Sequence, residues 1–527
     1  MMQSCYMIKK RCEVAIRNPW FYFLVVVVMF ASCSHKDRDS LSGGLPEITS
    51  VLPETGWAGD TVTIKGAGFT DQSVVMLNGS AFSVIDRTAN QIRIVMPVGT
   101  GTSNIRVING NTRSNNMIFT YSGPLIRSLS NTLGWAGDTV TITAKALADT
   151  TYLLYDGKQT GILDRTTDST FRFIVPAGTG TATIVIGNGN VLSNEMKFTY
   201  NTYTNPVFKP ILADPTVFKD PVSGYFYAYG TENEWSTDGK RHIVAIVKST
   251  DLVHWEYVAD AFTPASKPSW RTGANIWAPD IAYVNGKYHL YYAYSFWDDP
   301  DASIGLAIAD KPEGPFVDQG KLFSSSDINV QNSIDPCFYE DGGKKYLFWG
   351  SFRNNKGTAT RYGTFVTELT DNGKAVKDLS NITKIAGEDF EAPMIYKHGG
   401  YYWFFGSKGT CCDGANSGYN VRVGRGTSVT GPFYGQAGAD IVALDKGTFA
   451  LQRTDVFAGP GHNSTIITDK LGQNWILYHA LDVKNAVING VQQRALMLDK
   501  VNWDPGTGWP VINNGYPSST PQPSPRF

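Results

Sequence analysis

The sequence predicts an all-β protein in which two immunoglobulin-like β-sandwiches precede a five-bladed β-propeller. The first observation is a tandem repeat, because GWAGDTVTI follows Thr55 and returns after Leu133. The second is a motif of a residue beside a proline, a turn and an aromatic-rich strand, which recurs five times between 214 and 462. A chain of 527 residues that is 42% hydrophobic has enough apolar material for several cores. Its formal net charge of −1 gives no electrostatic case for nucleic acid binding.

The N-terminal segment 1–33 has the features of a targeting signal. Four basic residues precede the apolar run FYFLVVVVMF at 21–30, and Ala31-Ser32-Cys33 follows at once. The run Phe-Ala-Ser-Cys resembles the lipobox of bacterial lipoproteins. This resemblance implies a lipidated Cys33, a tether over 34–44 and a protein anchored in a bacterial cell envelope, at the outer membrane or cell surface. An ordinary secretory signal and a short membrane anchor are the alternatives.

Two repeated modules follow, over 45–122 and 123–201. Each alternates apolar and polar residues in short runs between Gly, Asn and Asp turns, as a small β-sandwich does. Both resemble IPT/TIG modules, which carry a Gly-Asp-x-Val-x-Ile strand and close on Phe-x-Tyr. Trp57 and Trp135 occupy equivalent positions, which favours packing in a shared core over sugar stacking. We expect the modules to be spacers.

The five recurring motifs predict a propeller over 202–514. The marker residues are Asp214, Asp280, Asp335, Glu391 and His462. They lie 55 to 71 residues apart, which suits a four-stranded blade with variable loops. Because the innermost strand of each blade begins near the central channel, the markers should converge on one pocket. The Pro- and Ser-rich tail 515–527 is predicted to be disordered.

Three carboxylates in this pocket indicate glycoside hydrolysis. Inversion requires an acid that protonates the leaving oxygen and a base that activates water, about 6.5 to 9.5 Å apart. Asp214, Asp335 and Glu391 each begin a blade-like unit, so they can supply both groups and a third carboxylate that tunes the acid. An isolated acidic residue before proline more often caps a turn. The ordered set favours catalysis.

These motifs resemble the family 43 glycoside hydrolases, five-bladed propellers that act on arabinose- and xylose-containing polysaccharides. The resemblance covers about 205 to 515. It implies that Asp214 of Ala-Asp-Pro is the general base and that Asp335 of Ile-Asp-Pro modulates the pKa of the acid. Glu391 of Glu-Ala-Pro is then the general acid. The runs NIWAPDIAYV, SIDPCFYEDG, KGTCCDGANS and GPGHNS are similar to endo-α-1,5-arabinanase segments.

Other site residues are assigned more loosely. Trp277 and Phe352 are candidates for stacking on a sugar, although both residue types also fill propeller cores. Asp280 is placed at the pocket rim, where it orders a blade start or contacts substrate. The resemblance implies that His462 helps to hold a metal, usually calcium, partly through water. From spacing alone a hydrogen-bonded histidine is equally expected, since calcium prefers six to eight oxygen ligands.

The predicted function is an inverting arabinan hydrolase that cuts α-1,5 linkages internally. One alternative keeps the mechanism and removes terminal arabinofuranosyl or xylosyl residues. Another is a non-catalytic glycan-binding lipoprotein.

The neighbours Cys411 and Cys412 form either a vicinal disulfide or two separate thiols. At the position after Gly-Ser-Phe, where arabinanases usually carry an aromatic residue, this chain has Arg353.

Overall fold

The computed structural model describes residues 45–97, 99, 101–353 and 355–527. The predicted signal with Cys33 and the predicted tether 34–44 lie outside these residues. No helix in the described part of the chain is both long enough and apolar enough to cross a membrane.

Module 1 forms a compact unit of its own, a sandwich of two sheets. One sheet contains, in hydrogen-bonded order, Glu47–Leu52, Thr61–Ala67, Gln91–Val95 and Asp86–Thr88. The other contains Thr55–Gly56, Met117–Tyr121, Thr102–Asn109, Val74–Leu77 and Ser80–Phe82, with Thr112–Arg113 paired to Thr102–Asn109. Because side chains alternate across a strand, every second residue enters the core, as Val62 and Ile64 do.

Module 2 repeats this arrangement and belongs to the same compact unit as the propeller. Its first sheet contains Leu125–Leu129, Thr139–Lys145, Thr170–Ile174 and Asp164–Thr167. Its second contains Leu133–Gly134, Met196–Tyr200, Thr181–Asn188, Tyr152–Tyr155 and Lys158–Thr160, with Val191–Leu192 paired to Thr181–Asn188.

Neither Trp57 nor Trp135 lies in the buried core of its module, so the expected core role is wrong for both.

Five antiparallel sheets of four main strands follow, and they are the blades of the propeller. Blade 1 contains Thr216–Lys219, Phe226–Tyr229, Ala245–Ser249 and Trp255–Asp260. Blade 2 contains Asn275–Val284, Lys287–Ser295, Ser303–Ala309 and Val317–Ser324. Blade 3 contains Cys337–Asp341, Lys344–Ser351, Gly363–Glu368 and Thr383–Ala386. Blade 4 contains Glu391–His398, Tyr401–Lys408, Asn420–Gly426 and Thr448–Leu451. Blade 5 contains Phe457–Gly461, Asn474–Asp482, Arg494–Trp503 and Pro510–Ile512, with Ile467–Thr468 beside the second of these.

The remaining elements are short. The small strand pairs are Thr202–Tyr203 with Gln522–Pro523, Asn233–Glu234 with Arg241–His242, and Val487–Ile488 with Val491–Gln492. The helical turns are Ser325–Ile328, Gly414–Asn416, Val483–Asn485 and Asn513–Gly515. Aromatic side chains fill the space between blades, among them the fully buried Trp349, Trp403 and Trp475. The prediction of an all-β fold with two sandwiches and a propeller is confirmed.

The tail 515–527 is ordered, which corrects the prediction of disorder. Its strand Gln522–Pro523 pairs with Thr202–Tyr203, at the start of the propeller chain. Arg526 donates from Nη1 to Asp138 of module 2 at 2.8 Å, and its guanidinium lies 4.7 Å from the centre of the Trp135 ring. Phe527 packs on Phe226 of blade 1. Composition alone missed these partners because they come from distant parts of the chain.

Candidate active site

The five blades begin with the same backbone feature. In each, the residue before the proline has a positive φ, namely 53° at Asp214, 41° at Ala278, 57° at Asp335, 52° at Ala392 and 58° at Gly459. A left-handed residue other than glycine costs about 1–2 kcal/mol, so packing around these turns must hold them. Glycine is required in blade 5, because a Cβ on Gly459 would lie 2.2 Å from Ser417 Oγ.

Hydrogen bonds join the starts of neighbouring blades. Ala278 N donates to Thr231 Oγ1 of blade 1 at 2.8 Å. Ala392 N donates to Asp335 Oδ2 of blade 3 at 3.0 Å. His462 N donates to Ser407 Oγ of blade 4 at 2.8 Å. The structure therefore brings the marker residues to one end of the channel.

Asp214 lies in a cluster of cationic and polar groups and is 9% exposed. Its Oδ1 accepts a hydrogen bond from Arg494 Nη1 at 2.7 Å, and its Oδ2 accepts one from Thr231 Oγ1 at 2.6 Å. Burial alone would raise the pKa of Asp214, but the attraction of Arg494 and of the neighbouring histidines, with the hydrogen bond from Thr231, together lower that pKa below its usual range. Asp214 is therefore held as a carboxylate.

Two histidines lie beside the same oxygen of Asp214. Nδ1 of His462 is 3.5 Å from Asp214 Oδ1, and Nδ1 of His479 is 3.4 Å from it. Burial lowers the pKa of His462 to about 4 and that of His479 well below its usual value. Nδ1 of His479 accepts a hydrogen bond from Asp214 N at 3.1 Å, so this nitrogen carries no proton. Both rings are neutral near pH 7, and Arg494 is the cation that stabilises Asp214.

Glu391 has the opposite electrostatic setting. Burial raises the pKa of Glu391 to about 7, and the negative charge of Asp214 adds to this. Tyr419 Oη donates to Glu391 Oε1 at 2.6 Å, and Ser351 Oγ donates to Glu391 Oε2 at 2.9 Å. These donors favour the ionised form and limit the rise in pKa. A carboxyl with a pKa near 7 is suited to donate a proton at neutral pH.

Asp335 is 6% exposed and is linked to Glu391 through the backbone of Ala392. Burial raises the pKa of Asp335 well above its usual value, and the charges of Glu391 and Asp214 raise it further. Since Asp335 and Glu391 interact, their protons are released as a coupled pair. A proton on this pair is retained at a pH where Asp214 is already ionised.

Asp280 organises three blade starts. Its Oδ1 accepts from Thr216 Oγ1 at 2.6 Å, and its Oδ2 accepts from Phe338 N at 2.6 Å. Burial raises the pKa of Asp280 to about 6. Because both oxygens already have donors in blades 1 and 3, Asp280 fits the ordering role, and substrate contact by Asp280 stays a prediction.

Trp277 holds in blade 2 the position that Glu391 holds in blade 4, two residues before the proline. It is half-buried and packs against the small cluster formed by Ala293, Ala302 and Ile334. Its ring centre lies 5.5 Å from that of the exposed Trp297. Phe352 directly follows Ser351, and its carbonyl oxygen accepts from Asn332 Nδ2 at 3.2 Å. Both residues are near the carboxylates, and their contact with a sugar stays a prediction.

The residues around His462 do not fit a calcium site built by protein ligands. The described part of the chain has no group of three or more His, Cys, Asp or Glu side chains placed to hold a metal ion. The nearby carboxylate, Asp214, is already paired with Arg494. Calcium prefers six to eight oxygen ligands, so water would have to supply most of the shell.

A disulfide lies in the loop that carries Tyr419. Cys411 and Cys412 are bonded to each other, which resolves the two alternatives, and Cys337 is a free thiol. Gln492 Nε2 donates to the carbonyl oxygen of Cys412 at 3.3 Å, and Gly414 N donates to Gln492 Oε1 at 2.9 Å. This loop of blade 4 is therefore attached to a hairpin of blade 5 beside Glu391.

Several residues of the site were not identified from the sequence. The sequence motifs assigned no catalytic role to Arg494, Thr231, Ser351, Tyr419 or His479. Ser351 and His479 lie within the aromatic-rich strands of the repeated motif, so aligning the blades by their prolines would have shown them. Tyr419 lies in an irregular loop, and no spacing rule relates it to Glu391.

Comparison with known proteins identifies the family. Residues 203–510 match the glycosyl hydrolases family 43 model, and residues 46–121 and 124–200 each match the IPT/TIG domain model. An extracellular endo-α-(1→5)-L-arabinanase of Bacillus subtilis is 31% identical over 313 residues, which cover 57% of this chain and 87% of the relative. An extracellular exo-α-(1→5)-L-arabinofuranosidase of Cellvibrio japonicus is 28% identical over 291 residues, which cover 51% of this chain and 80% of the relative.

Among solved structures, a family 43 endo-arabinanase from Bacillus licheniformis is 29% identical with a TM-score of 0.48, and the match covers 57% of this chain and 98% of that one. The family model alone spans more than half of the chain. The resemblance read from the motifs is thereby confirmed: this chain belongs to the glycosyl hydrolases of family 43 and is a glycoside hydrolase that carries two IPT/TIG domains before its catalytic propeller.

Proposed function

We propose that the protein hydrolyses α-1,5-linked L-arabinan internally and with inversion at the anomeric carbon. The observation that carries the chemistry is the opposite electrostatic setting of two carboxyl groups in one pocket. Arg494 holds Asp214 ionised, whereas burial keeps Glu391 protonated to about pH 7. The names of its arabinanase relatives support arabinan as the substrate.

In the proposed reaction, Asp214 accepts a proton from a water molecule as that water attacks the anomeric carbon. The bond from this carbon to the linking oxygen breaks, and Glu391 gives its proton to the leaving oxygen. Asp335 keeps Glu391 protonated and aligned through their charge coupling and the Ala392 link. The product sugar has the β configuration at first.

The test is the time course of products from linear α-1,5-arabinan, with the full-length protein in mild detergent. We expect oligosaccharides of several lengths in the first minutes and a β anomer by proton NMR. Glu391→Gln and Asp214→Asn should each lower kcat roughly 10²–10⁴-fold. Glu388→Gln, which makes the same chemical change three residues earlier, should retain activity.

A leaving group that needs no protonation gives a sharper readout. Glu391→Gln should recover much of its activity on an aryl arabino-oligosaccharide with an acidic phenol, whereas Asp214→Asn should not. An α anomer as the first product would overturn inversion. Equal losses on both substrates for Glu391→Gln would overturn its role as the acid.

An exo-acting enzyme is the second candidate, because an exo-α-(1→5)-L-arabinofuranosidase also lies among the relatives. Arabinose alone from the first minutes would support it, and activity only on xylosides would support a β-xylosidase.

We also propose that Cys33 is lipidated and anchors the protein at a bacterial envelope, on the strength of the basic and apolar run before it. Incorporation of labelled palmitate that disappears in Cys33→Ala would support this.

For His462, a role that needs calcium would appear as activity lost to a chelator and restored by calcium. His462→Gln should then lower the calcium affinity.

A further inference from the structure

A shallow groove with a volume of about 400 Å³ lies on the larger sheet of module 1. It is lined mainly by Met76, Asn78, Asn104, Arg106, Arg113 and Asn116. The residues on either side of Arg106, Ile105 and Val107, are fully buried in the sandwich core. Because side chains alternate across a strand, Arg106 points away from that core, and the groove occupies the outer face of the sheet.

Two guanidinium groups in this groove have no carboxylate beside them. Arg106 pairs in register with Met76, and Arg113 pairs with Ile108, two residues further along the same strand. Both arginines are exposed, and neither makes a hydrogen bond or ion pair with the described residues. Other arginines of this module are engaged, since Arg93 binds Asp86 and Arg87 donates to backbone oxygens.

Three asparagines beside the arginines are held in fixed positions. Asn116 Nδ2 donates to Asn104 Oδ1 at 2.7 Å, and Asn104 N donates to Asn78 Oδ1 at 2.8 Å. Asn78 Nδ2 in turn donates to Ser103 Oγ at 3.0 Å. A side-chain amide has two donors and an acceptor with two lone pairs, so capacity for hydroxyl groups remains. The half-buried Met76 and Ile108 give the groove an apolar floor.

Module 2 serves as an internal comparison, because it is a copy of module 1. The core position Ile105 corresponds to Ile184, and both are fully buried. The groove positions differ: Asn78, Arg106, Ile108, Arg113 and Asn116 correspond to Asp156, Val185, Gly187, Leu192 and Glu195. Tyr152 of module 2 also lies over Gly187, where its ring fills the space of a side chain. The two copies thus share a core and differ on this face in charge and shape.

We propose that the groove of module 1 binds an anionic polysaccharide. A guanidinium group pairs with a planar carboxylate through two parallel hydrogen bonds, and it pairs with a sulfate in a similar way. The asparagines would contact sugar hydroxyls, and the apolar floor would contact a ring face. Such a site goes beyond hydrolysis of a neutral arabinan, since it would raise the local concentration of the enzyme wherever an anionic polysaccharide and the neutral substrate occur together.

The test is calorimetric titration of the full-length protein in mild detergent with polygalacturonate, dextran sulfate and neutral dextran. We expect binding to one or both anionic polymers, weakened by salt, and no binding to dextran. Arg106→Ala/Arg113→Ala should weaken that binding at least about tenfold. Lys65→Ala/Arg127→Ala removes two exposed positive charges elsewhere and should change it less than about twofold. The two anionic polymers distinguish carboxylate from sulfate as the recognised group.

Three results would overturn the proposal. These are no binding to either anionic polymer, equal losses in the two double variants, and equal binding of neutral dextran. Competition by glycerol phosphate as effective as that of oligogalacturonate would instead assign the groove to a lipid headgroup. Hydrolysis of soluble linear arabinan should be unchanged in Arg106→Ala/Arg113→Ala. A failure of this site is therefore distinguishable from a failure of the proposed catalytic function.

Discussion

Tyr419 donates a hydrogen bond of 2.6 Å from Oη to Oε1 of Glu391, although 28 residues separate them. Tyr419 is fully buried, and its ring stacks on that of His479 with 8° between the planes. His479 in turn contacts the backbone N–H of Asp214. The packed rings of Tyr419 and His479 therefore connect Glu391, the proposed acid, to Asp214, the proposed base.

Replacing Tyr419 by Phe should extend activity to higher pH. The hydroxyl stabilises ionised Glu391 and opposes the effect of burial, so its loss raises the pKa of Glu391 above about 7. As the proposed general acid, Glu391 acts while protonated, so its active form is lost as pH rises through this pKa. The alkaline limb of the kcat/KM profile should thus move upward on the order of one pH unit. Tyr396→Phe, on the same blade, is the control, and a downward shift in Tyr419→Phe would contradict the assignment.

Replacing Arg494 by Ala should affect the opposite limb. Without the guanidinium, burial dominates and raises the pKa of Asp214. As the proposed general base, Asp214 acts while ionised, so its active form is lost as pH falls through the raised pKa. The acid limb should move upward, with kcat roughly 10²-fold lower at neutral pH. Arg494→Lys should restore part of the pH range because it keeps the charge, and Arg425→Ala is a control. An unchanged acid limb in Arg494→Ala would show that Arg494 has another role.

Removing residues 522–527 should allow module 2 and the propeller to unfold independently of each other. These residues supply the strand beside Thr202–Tyr203 and the Arg526 contact with Asp138. Scanning calorimetry of the full-length protein should then show an additional transition at lower temperature. Arg526→Ala alone should cost about 1 kcal/mol, since the ion pair is partly exposed. Lys470→Ala is the control, because its backbone and not its side chain contacts the tail. Unchanged transitions after truncation would contradict the coupling.

The sequence predicted the elements of the fold better than their ends and junctions. The GWAGDTVTI run occurs once in each module and the proline motif once in each blade, so repeated structural units are visible in the sequence as repeated motifs. The tail was misread because its Pro and Ser content says nothing about Arg526 and Phe527, which find partners in module 2 and blade 1. Trp135 was misplaced for the same reason, since its indole N–H donates to the carbonyl oxygen of Ser524.

By itself the sequence determined the all-β class, the duplication, the five blades and the convergence of Asp214, Asp335 and Glu391, because each rests on local patterns that repeat along the chain. Only the tertiary structure decided the electrostatic setting of those carboxylates. The pKa of a carboxyl depends on burial and on charges within a few ångströms, and the partners Arg494 and Tyr419 lie 280 and 28 residues away from Asp214 and Glu391. Contacts of that kind have no period, and they exist only once the blades close into a ring.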